Sequence, residues 1–130
     1  MLRLALLLSP LFLAQCKGDE TVARYGAADH VWTLTEIDGT PFTARATLTF
    51  PERGKVAGQA PCNSYTGVMV TPYPWFDLGQ VAATRMACPD MASEAMFFET
   101  IGQMTLAEVS GDVLILSTPE GRQMVFKSAE

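Results

Sequence analysis

Strict alternation of apolar and polar residues constrains the fold of this 130-residue chain more than any other feature. In residues 45–50 (RATLTF) every second residue is apolar, namely Ala46, Leu48 and Phe50. A period of two is typical of a strand in an antiparallel sheet that has one face buried. Residues 31–37 (VWTLTEI) repeat the pattern, so we expect Trp32 and Leu34 to point into a core.

The rest of the chain predicts further hairpins and one helix. Residues 113–116 and 123–126 are apolar strand candidates, and the turn sequences PERG, SGD and TPEG separate the strands without a βαβ rhythm. A helix is predicted after Asp90, where proline and aspartate mark a start. Its apolar face falls at i, i+4 and i+7, at Phe97, Ile101 and Met104.

The N-terminus has the features of an export signal. A short basic start precedes the apolar run LALLLSPLFLA at residues 4–14, which is about half of what a helix needs to span a bilayer. Residues 13–16 (LAQC) resemble a bacterial lipobox, although Gln15 stands where a small residue is usual. We therefore expect a signal peptide at 1–15, a lipid on Cys16 and a flexible tether at 16–28.

An ordinary secretory signal, cut near Ala23, is the alternative, and it would discard Cys16. In either case the protein leaves the cytoplasm. The expected location is the periplasmic face of a membrane, the outer membrane in the lipid-anchored case, or the periplasm itself.

The charge balance bears on the partners. The chain carries 9 basic and 14 acidic residues, a net charge of −5, and the basic residues form no stripe. We therefore expect no nucleic-acid partner. An acidic surface also disfavours electrostatic adhesion to anionic headgroups, so the lipid on Cys16 would supply the affinity for the membrane.

The remaining two cysteines, Cys62 and Cys88, form an even pair if Cys16 carries lipid. In an oxidising compartment such a pair predicts one disulfide. Closing the loop of about 27 residues between them would raise the free energy of unfolding by about 3.5 kcal/mol in the chain-entropy account. That is a large fraction of the stability of a domain of this size.

Two short signatures resemble those of the META domain, the family that includes the heat-shock protein HslJ. Residues 60–67 (APCNSYTG) are similar to GCN-x-Y-x-G, with Pro61 where the family has glycine. Residues 84–88 (TRMAC) are similar to T-x-M-A-C, and residues 94–97 (EAMF) follow an E-x-x-F pattern. The similarity extends from about residue 31 to 127, so we expect the META domain at 29–130.

The resemblance implies an α+β fold, a mostly antiparallel β-sheet curling toward a barrel, with one main α-helix packed on it. This agrees with the strands, turns and helix read from the sequence. The family is loosely linked to envelope stress and secretion, and the resemblance implies no agreed biochemical activity.

Catalytic and metal chemistry find little support in the sequence. His30 is the only histidine, so Cys62 lacks a base, and the cysteine spacing is not that of a zinc site. We expect no cofactor, no metal site and no catalytic residues. The carboxylates at Glu94, Glu99 and Glu108 are interpreted as a solvated helix exterior. Asn63 is interpreted as shaping the corner that presents Cys62 to Cys88.

One loop is the candidate partner site. Residues 71–76 (TPYPWF) combine two prolines with aromatic residues, of which Tyr73 and Trp75 are the candidate partner patch. The alternative is that Trp75 and Phe76 fill the core and only Tyr73 is outside. The methionines are interpreted as adaptable core residues rather than as a recognition surface.

The function expected from these features is a non-enzymatic, secreted or lipid-anchored META-domain protein of the bacterial cell envelope. It would act as an envelope-stress or maintenance module whose partner is another, unidentified envelope protein. The alternative is a β-barrel that binds a small molecule or lipid, which requires an unfilled apolar interior.

Overall fold

The computed structural model describes residues 18–128. The predicted signal peptide at 1–15 and the predicted lipidation of Cys16 lie outside these residues. Within them the chain forms a short turn of π-helix (Ala23–Ala27), one α-helix and nine strands. The strands are β1 (Trp32–Ile37), β2 (Thr40–Pro41), β3 (Thr47–Leu48), β4 (Lys55–Gln59), β5 (Ser64–Val68), β6 (Ala82–Ala83), β7 (Leu106–Ser110), β8 (Val113–Ser117) and β9 (Gln123–Ser128), and the helix is α1 (Met91–Gln103).

The strands form two antiparallel sheets. The larger has the order β2-β1-β9-β8-β7, with β3 also paired to β1, and the smaller has the order β4-β5-β6. A bridge between Thr49 and Ala57 links β3 to β4 and so joins the sheets. The sheets do not close into a barrel. The predicted α+β fold, with mostly antiparallel strands and one main helix, is confirmed.

The alternating segments supply the core as predicted. Trp32, Leu34 and the inner-face residues of 45–50 are all buried. The strand at Thr47–Leu48 is shorter than predicted, and Thr47, expected on the polar face, is also buried. Its hydroxyl accepts a hydrogen bond from the Gln59 backbone N at 2.9 Å, and its carbonyl accepts one from the Tyr65 hydroxyl at 2.6 Å. Thr47 is therefore a buried polar residue whose hydroxyl and carbonyl both accept hydrogen bonds between the two sheets.

The helix packs on the smaller sheet through aromatic side chains. Its predicted inner face, Phe97, Ile101 and Met104, is buried. The ring of Tyr65 on β5 lies 5.6 Å from that of Phe97 and 5.5 Å from that of Phe98, the second in an edge-to-face arrangement. Burial raises the pKa of the Tyr65 phenol, so it remains a hydrogen-bond donor to Thr47.

Residues 21–28 differ from the flexible tether expected for 16–28. Val22 and Ala27 are fully buried, and the Ala27 carbonyl accepts a hydrogen bond from the indole Nε1 of Trp32 at 3.0 Å. The Tyr25 ring stacks on that of Tyr73, with centroids 4.6 Å apart. The local sequence of residues 21–28 does not predict this packing, because several of the contacts are made with residues distant in the chain. The folded unit thus begins before residue 29.

Gly58 provides a test of the contact between the sheets. A Cβ at this position would overlap the Thr47 carbonyl and lie 2.8 Å from the Tyr65 hydroxyl. We expect Gly58→Ala to lower the free energy of unfolding by about 1–3 kcal/mol, because the Thr47 backbone and the buried Tyr65 side chain cannot move freely. Gly79→Ala is the matched control, since a Cβ there meets nothing within 4 Å. Urea unfolding measures both, and equal midpoints for the two variants would contradict the predicted contact.

A charged contact joins two turns at one end of the larger sheet. Asp38, at φ 50° in the β1–β2 turn, accepts a hydrogen bond from the Gln123 backbone N at 2.9 Å. Its other oxygen lies 3.0 Å from Nη2 of Arg122. The Gln123 hydrogen bond, and then the Arg122 guanidinium, lower the pKa of the Asp38 carboxyl. A lowered pKa means that the folded state favours the ionised form.

We predict that Asp38→Asn destabilises the protein near neutral pH and has a smaller effect in acid. The stabilisation from a lowered carboxyl pKa is complete above the unfolded value of about 4, and is lost as the pH falls through the folded value. Asparagine tolerates positive φ, so the turn is preserved. Thermal unfolding from pH 3 to 7 measures the difference, with Asp77→Asn, at an exposed loop carboxylate, as the control. A difference independent of pH would contradict this linkage.

Candidate functional site

The disulfide predicted between Cys62 and Cys88 is present. Its Cα atoms are 5.6 Å apart, and the bond joins the loop before β5 to the residues before α1. The cross-link thereby brings the two signature segments, residues 60–67 and 84–88, to one corner of the fold. As a disulfide, Cys62 is not a free thiol.

A buried carboxylate lies beside the disulfide. Glu94, on the first turn of α1, is 5% exposed. Its Oε1 accepts hydrogen bonds from the backbone N of Cys62 at 3.0 Å and of Asn63 at 2.8 Å. Its Oε2 accepts one from the Asn63 side-chain Nδ2 at 2.8 Å. These three hydrogen-bond donors compensate for the hydration that the carboxylate loses on burial.

The interpretation of three carboxylates as a solvated helix exterior is therefore wrong for Glu94. Glu94 precedes Phe97 by three positions, so both side chains lie on the same face of the helix and point inward. Glu99 is exposed on α1 as expected, whereas Glu108 lies on strand β7 and not on a helix.

Asn63 connects the carboxylate to the second signature. Its Oδ1 accepts hydrogen bonds from the Met86 backbone N at 2.6 Å and the Thr84 hydroxyl at 2.9 Å. Its Nδ2 also donates to the Met86 carbonyl at 3.0 Å. Both amide donors and the carbonyl are thus occupied within the protein, and no group of Asn63 remains for a ligand. The geometry agrees with the interpretation that Asn63 shapes this corner.

The aromatic loop lies along the open edge of β7. The Ala107 backbone N donates to the Pro74 carbonyl at 2.7 Å, and the Phe76 backbone N donates to the Thr105 carbonyl at 2.9 Å. Trp75 forms a bridge with Leu106 between these bonds. The loop is therefore fixed as an extra edge segment of the larger sheet rather than left as a free excursion.

The side chains of this loop divide between the core and the surface. Phe76 is buried, whereas Trp75 is 55% exposed and Tyr73 is half-buried against Tyr25, itself 56% exposed. The alternative that Trp75 and Phe76 both fill the core is confirmed for Phe76 and wrong for Trp75, because adjacent residues of an extended segment point to opposite faces. We call Tyr25, Tyr73 and Trp75 the aromatic surface. Tyr25 belongs to the segment predicted as a tether, so no sequence pattern indicated that it would join this surface.

The methionines do not all behave as core residues. Met69, Met104 and Met124 are buried as expected. The other three in the described chain are exposed, namely Met86, Met91 and Met96. Met91 and Met96 lie on the exposed side of α1, and Met86 lies in the second signature segment, so the interpretation as core is wrong for these three.

The described residues offer few features for catalysis or ligand binding. Within residues 18–128 there is no group of three histidine, cysteine, aspartate or glutamate residues placed to hold a metal, and no helix is long and apolar enough to cross a membrane. His30 lies 2.9 Å, through Nδ1, from the Ser128 hydroxyl. The clefts found on the described surface have volumes of about 250–330 Å³.

The space between sheets and helix is filled by large side chains. Trp32, Tyr65, Phe76, Phe97 and Phe126 are almost completely buried there. A barrel that binds a small molecule or lipid in its interior would need that space, so this alternative gains no support from the described residues.

Comparison with known proteins identifies the family and the fold. The family model described as META domain matches residues 26–130. An NMR structure of a protein from Burkholderia xenovorans superposes with a TM-score of 0.62 at 22% identity, covering 83% of this chain and 87% of that one. A second NMR structure has a TM-score of 0.62 at 22% identity, covering 77% and 89%. No curated protein matches. At this identity the two structures show a common fold.

The Glu94 contacts predict a large effect of one substitution. Glu94→Ala leaves two backbone N–H groups and one N–H of the Asn63 amide without an acceptor, so we expect a loss of about 3 kcal/mol in the free energy of unfolding. Glu94→Gln keeps the shape and one acceptor and should lose about 1–2 kcal/mol. Glu99→Ala, on the exposed side of the same helix, should change it by less than about 0.5 kcal/mol. Urea unfolding with the disulfide intact measures all three, and a similar loss at both glutamates would refute the role of Glu94.

Proposed function

Since the chain belongs to the META domain family, we propose that it is a non-enzymatic interaction module of the bacterial cell envelope. In this proposal it is exported, carries a lipid on Cys16 and binds another envelope protein through the aromatic surface. Its biological role would be in envelope maintenance or the envelope stress response, to which the family is loosely linked.

The observation that carries the proposal is the exposure of Trp75 on a rigid support. A tryptophan that is 55% exposed presents a large apolar area to solvent. Its backbone is fixed by the hydrogen bonds of the neighbouring Pro74 and Phe76 to the β7 region, so little conformational entropy is lost when a partner covers it. Tryptophan and tyrosine are the residues most enriched among those that dominate binding energy at interfaces.

The polar groups of the signatures support a binding role rather than an enzymatic one. Glu94 and Asn63 are the polar pair that an enzyme of this fold would offer first, since both are buried beside a cysteine. Their acceptors and donors are engaged with each other and with the backbone of residues 62, 63 and 86. A substrate would have to break these bonds to reach either group.

Site-specific cross-linking tests the aromatic surface directly. The full chain, with a photoreactive phenylalanine derivative at position 75, is expressed in the bacterium that naturally produces it and is irradiated there. We expect a discrete cross-linked product with an envelope protein. The same residue at position 96 should give none, although Met96 is similarly exposed at 53%. Because more than half of the Trp75 side chain is exposed and its bridge to Leu106 is made by the backbone, we expect Trp75→Ala to change the free energy of unfolding by less than about 0.5 kcal/mol.

Competition separates a specific partner from a chance neighbour. Excess unlabelled protein should suppress the cross-link from position 75. If Trp75 supplies about 2 kcal/mol of binding, the Trp75→Ala protein should need a concentration roughly 30-fold higher to do so. Equal suppression by both proteins, or equal cross-linking from positions 75 and 96, would rule out the aromatic surface as the binding site.

A further inference from the structure

The first described residue, Gly18, lies beside one end of the β4–β5 hairpin. A cleft of about 250 Å³ is lined by Gly18 together with Arg53, Val70 and Pro72. The Arg53 guanidinium donates to the Gly18 carbonyl at 3.4 Å, and the side chain of Arg24 also contacts Gly18. The chain therefore enters the fold at a defined position on its surface.

The residues that follow Gly18 are fixed to the domain. The Asp19 carboxylate accepts hydrogen bonds from the Thr21 backbone N and hydroxyl at 2.9 and 2.6 Å. The Tyr73 backbone N donates to the Glu20 carbonyl at 2.7 Å, and Val22 is completely buried. Hydrogen bonds and burial thus hold residues 19–22 against the domain, so the position of Gly18 constrains the orientation of the whole domain.

Chain length limits how far this point can be from a lipid on Cys16. Two residue steps separate Cys16 from Gly18, which span at most about 7 Å when fully extended. The headgroup layer on one side of a bilayer is about 5–8 Å thick. With the acyl chains in the hydrocarbon core, Gly18 would therefore lie at the surface of the headgroups.

The outer face of the hairpin next to Gly18 suits that environment. Val68 and Val70 are 59% and 68% exposed, and are among the most exposed aliphatic side chains described. Lys55 is the cross-strand partner of Val68, and Arg53 lies at the adjacent turn. Aliphatic side chains bordered by cations are compatible with a bilayer interface, since the long basic side chains can reach phosphate groups.

The charges near this point also differ from those of the chain as a whole. The acidic residues are Asp19, Glu20 and Glu52, and the basic ones are Arg24, Arg53 and Lys55. The two sets cancel, whereas the net charge of the chain is −5. This part of the surface therefore escapes the repulsion from anionic headgroups expected for the rest of the domain.

We propose that the outer face of the β4–β5 hairpin, formed by Arg53, Lys55, Val68 and Val70, lies against the lipid bilayer. The lipid on Cys16 supplies the affinity, and this face sets the orientation. The inference rests on the lipid anchor of the proposed function. It also places Pro72, and hence the start of the aromatic loop, close to the membrane.

Depth-dependent fluorescence quenching tests this orientation. The full lipidated protein, reconstituted in vesicles of phosphatidylethanolamine and phosphatidylglycerol, is labelled with an environment-sensitive dye at Val70→Cys, Met96→Cys or Trp75→Cys. The Met96 position is a matched control, because it is similarly exposed and lines a cleft with Pro41, Phe42 and Arg122 rather than with Gly18. With quencher on the lipid headgroups, we expect several-fold stronger quenching at position 70 than at position 96.

Each other outcome overturns a definite part of the inference. Equal quenching at positions 70 and 96 would mean that the domain has no fixed orientation, and stronger quenching at position 75 would mean that the aromatic surface faces the bilayer. The intact mass of the same preparation is measured first. A mass without acyl chains on Cys16 would refute the anchor and this inference together. Acylation with equal quenching would refute the orientation alone.

Discussion

The Glu94 carboxylate lies between helix α1 and the loop before β5, where two backbone N–H groups and one side-chain amide donate to it. Moving a carboxylate out of water is costly, so it is stable there only while all three donors are in place. The disulfide holds the same loop to the start of the helix. Farther along α1, Phe97 packs against Tyr65, and the Tyr65 hydroxyl donates a hydrogen bond to the Thr47 carbonyl between the two sheets. The position of the helix therefore also fixes the junction of the two sheets.

Much of this arrangement follows from local patterns. Alternation identified the inward residues of β1 and of residues 45–50, and the spacing of Phe97, Ile101 and Met104 identified the inner face of α1. Those patterns depend only on how side chains repeat along a helix or strand. The burial of Glu94 could have been read from the same geometry, since it lies three positions before Phe97. The spacing of Glu94 from Glu99 and Glu108 does not reveal its burial. Its spacing from Phe97, on the inner face of α1, does.

The packing of residues 21–28 could not be read in this way. Val22, Ala23 and Ala27 have no period that marks a buried face, and the segment that contains them contacts Trp32, β7 and the aromatic loop. The exposure of Trp75 has a similar origin, because it depends on the pairing of the loop with Leu106 across about thirty residues of chain. That pairing also covers an edge strand that would otherwise present unpaired backbone groups to other chains.

The contact between Ala27 and Trp32 has a consequence for where a recombinant fragment should start. The family match begins at residue 26, and a fragment cut at that point would keep the Ala27 carbonyl as acceptor for the Trp32 indole but lose Val22. A fragment cut at residue 29 would lose both and would leave a buried indole N–H without a partner. The smallest piece that retains the complete fold therefore begins at the N-terminal end of the described chain, several residues before the boundary that sequence similarity suggests.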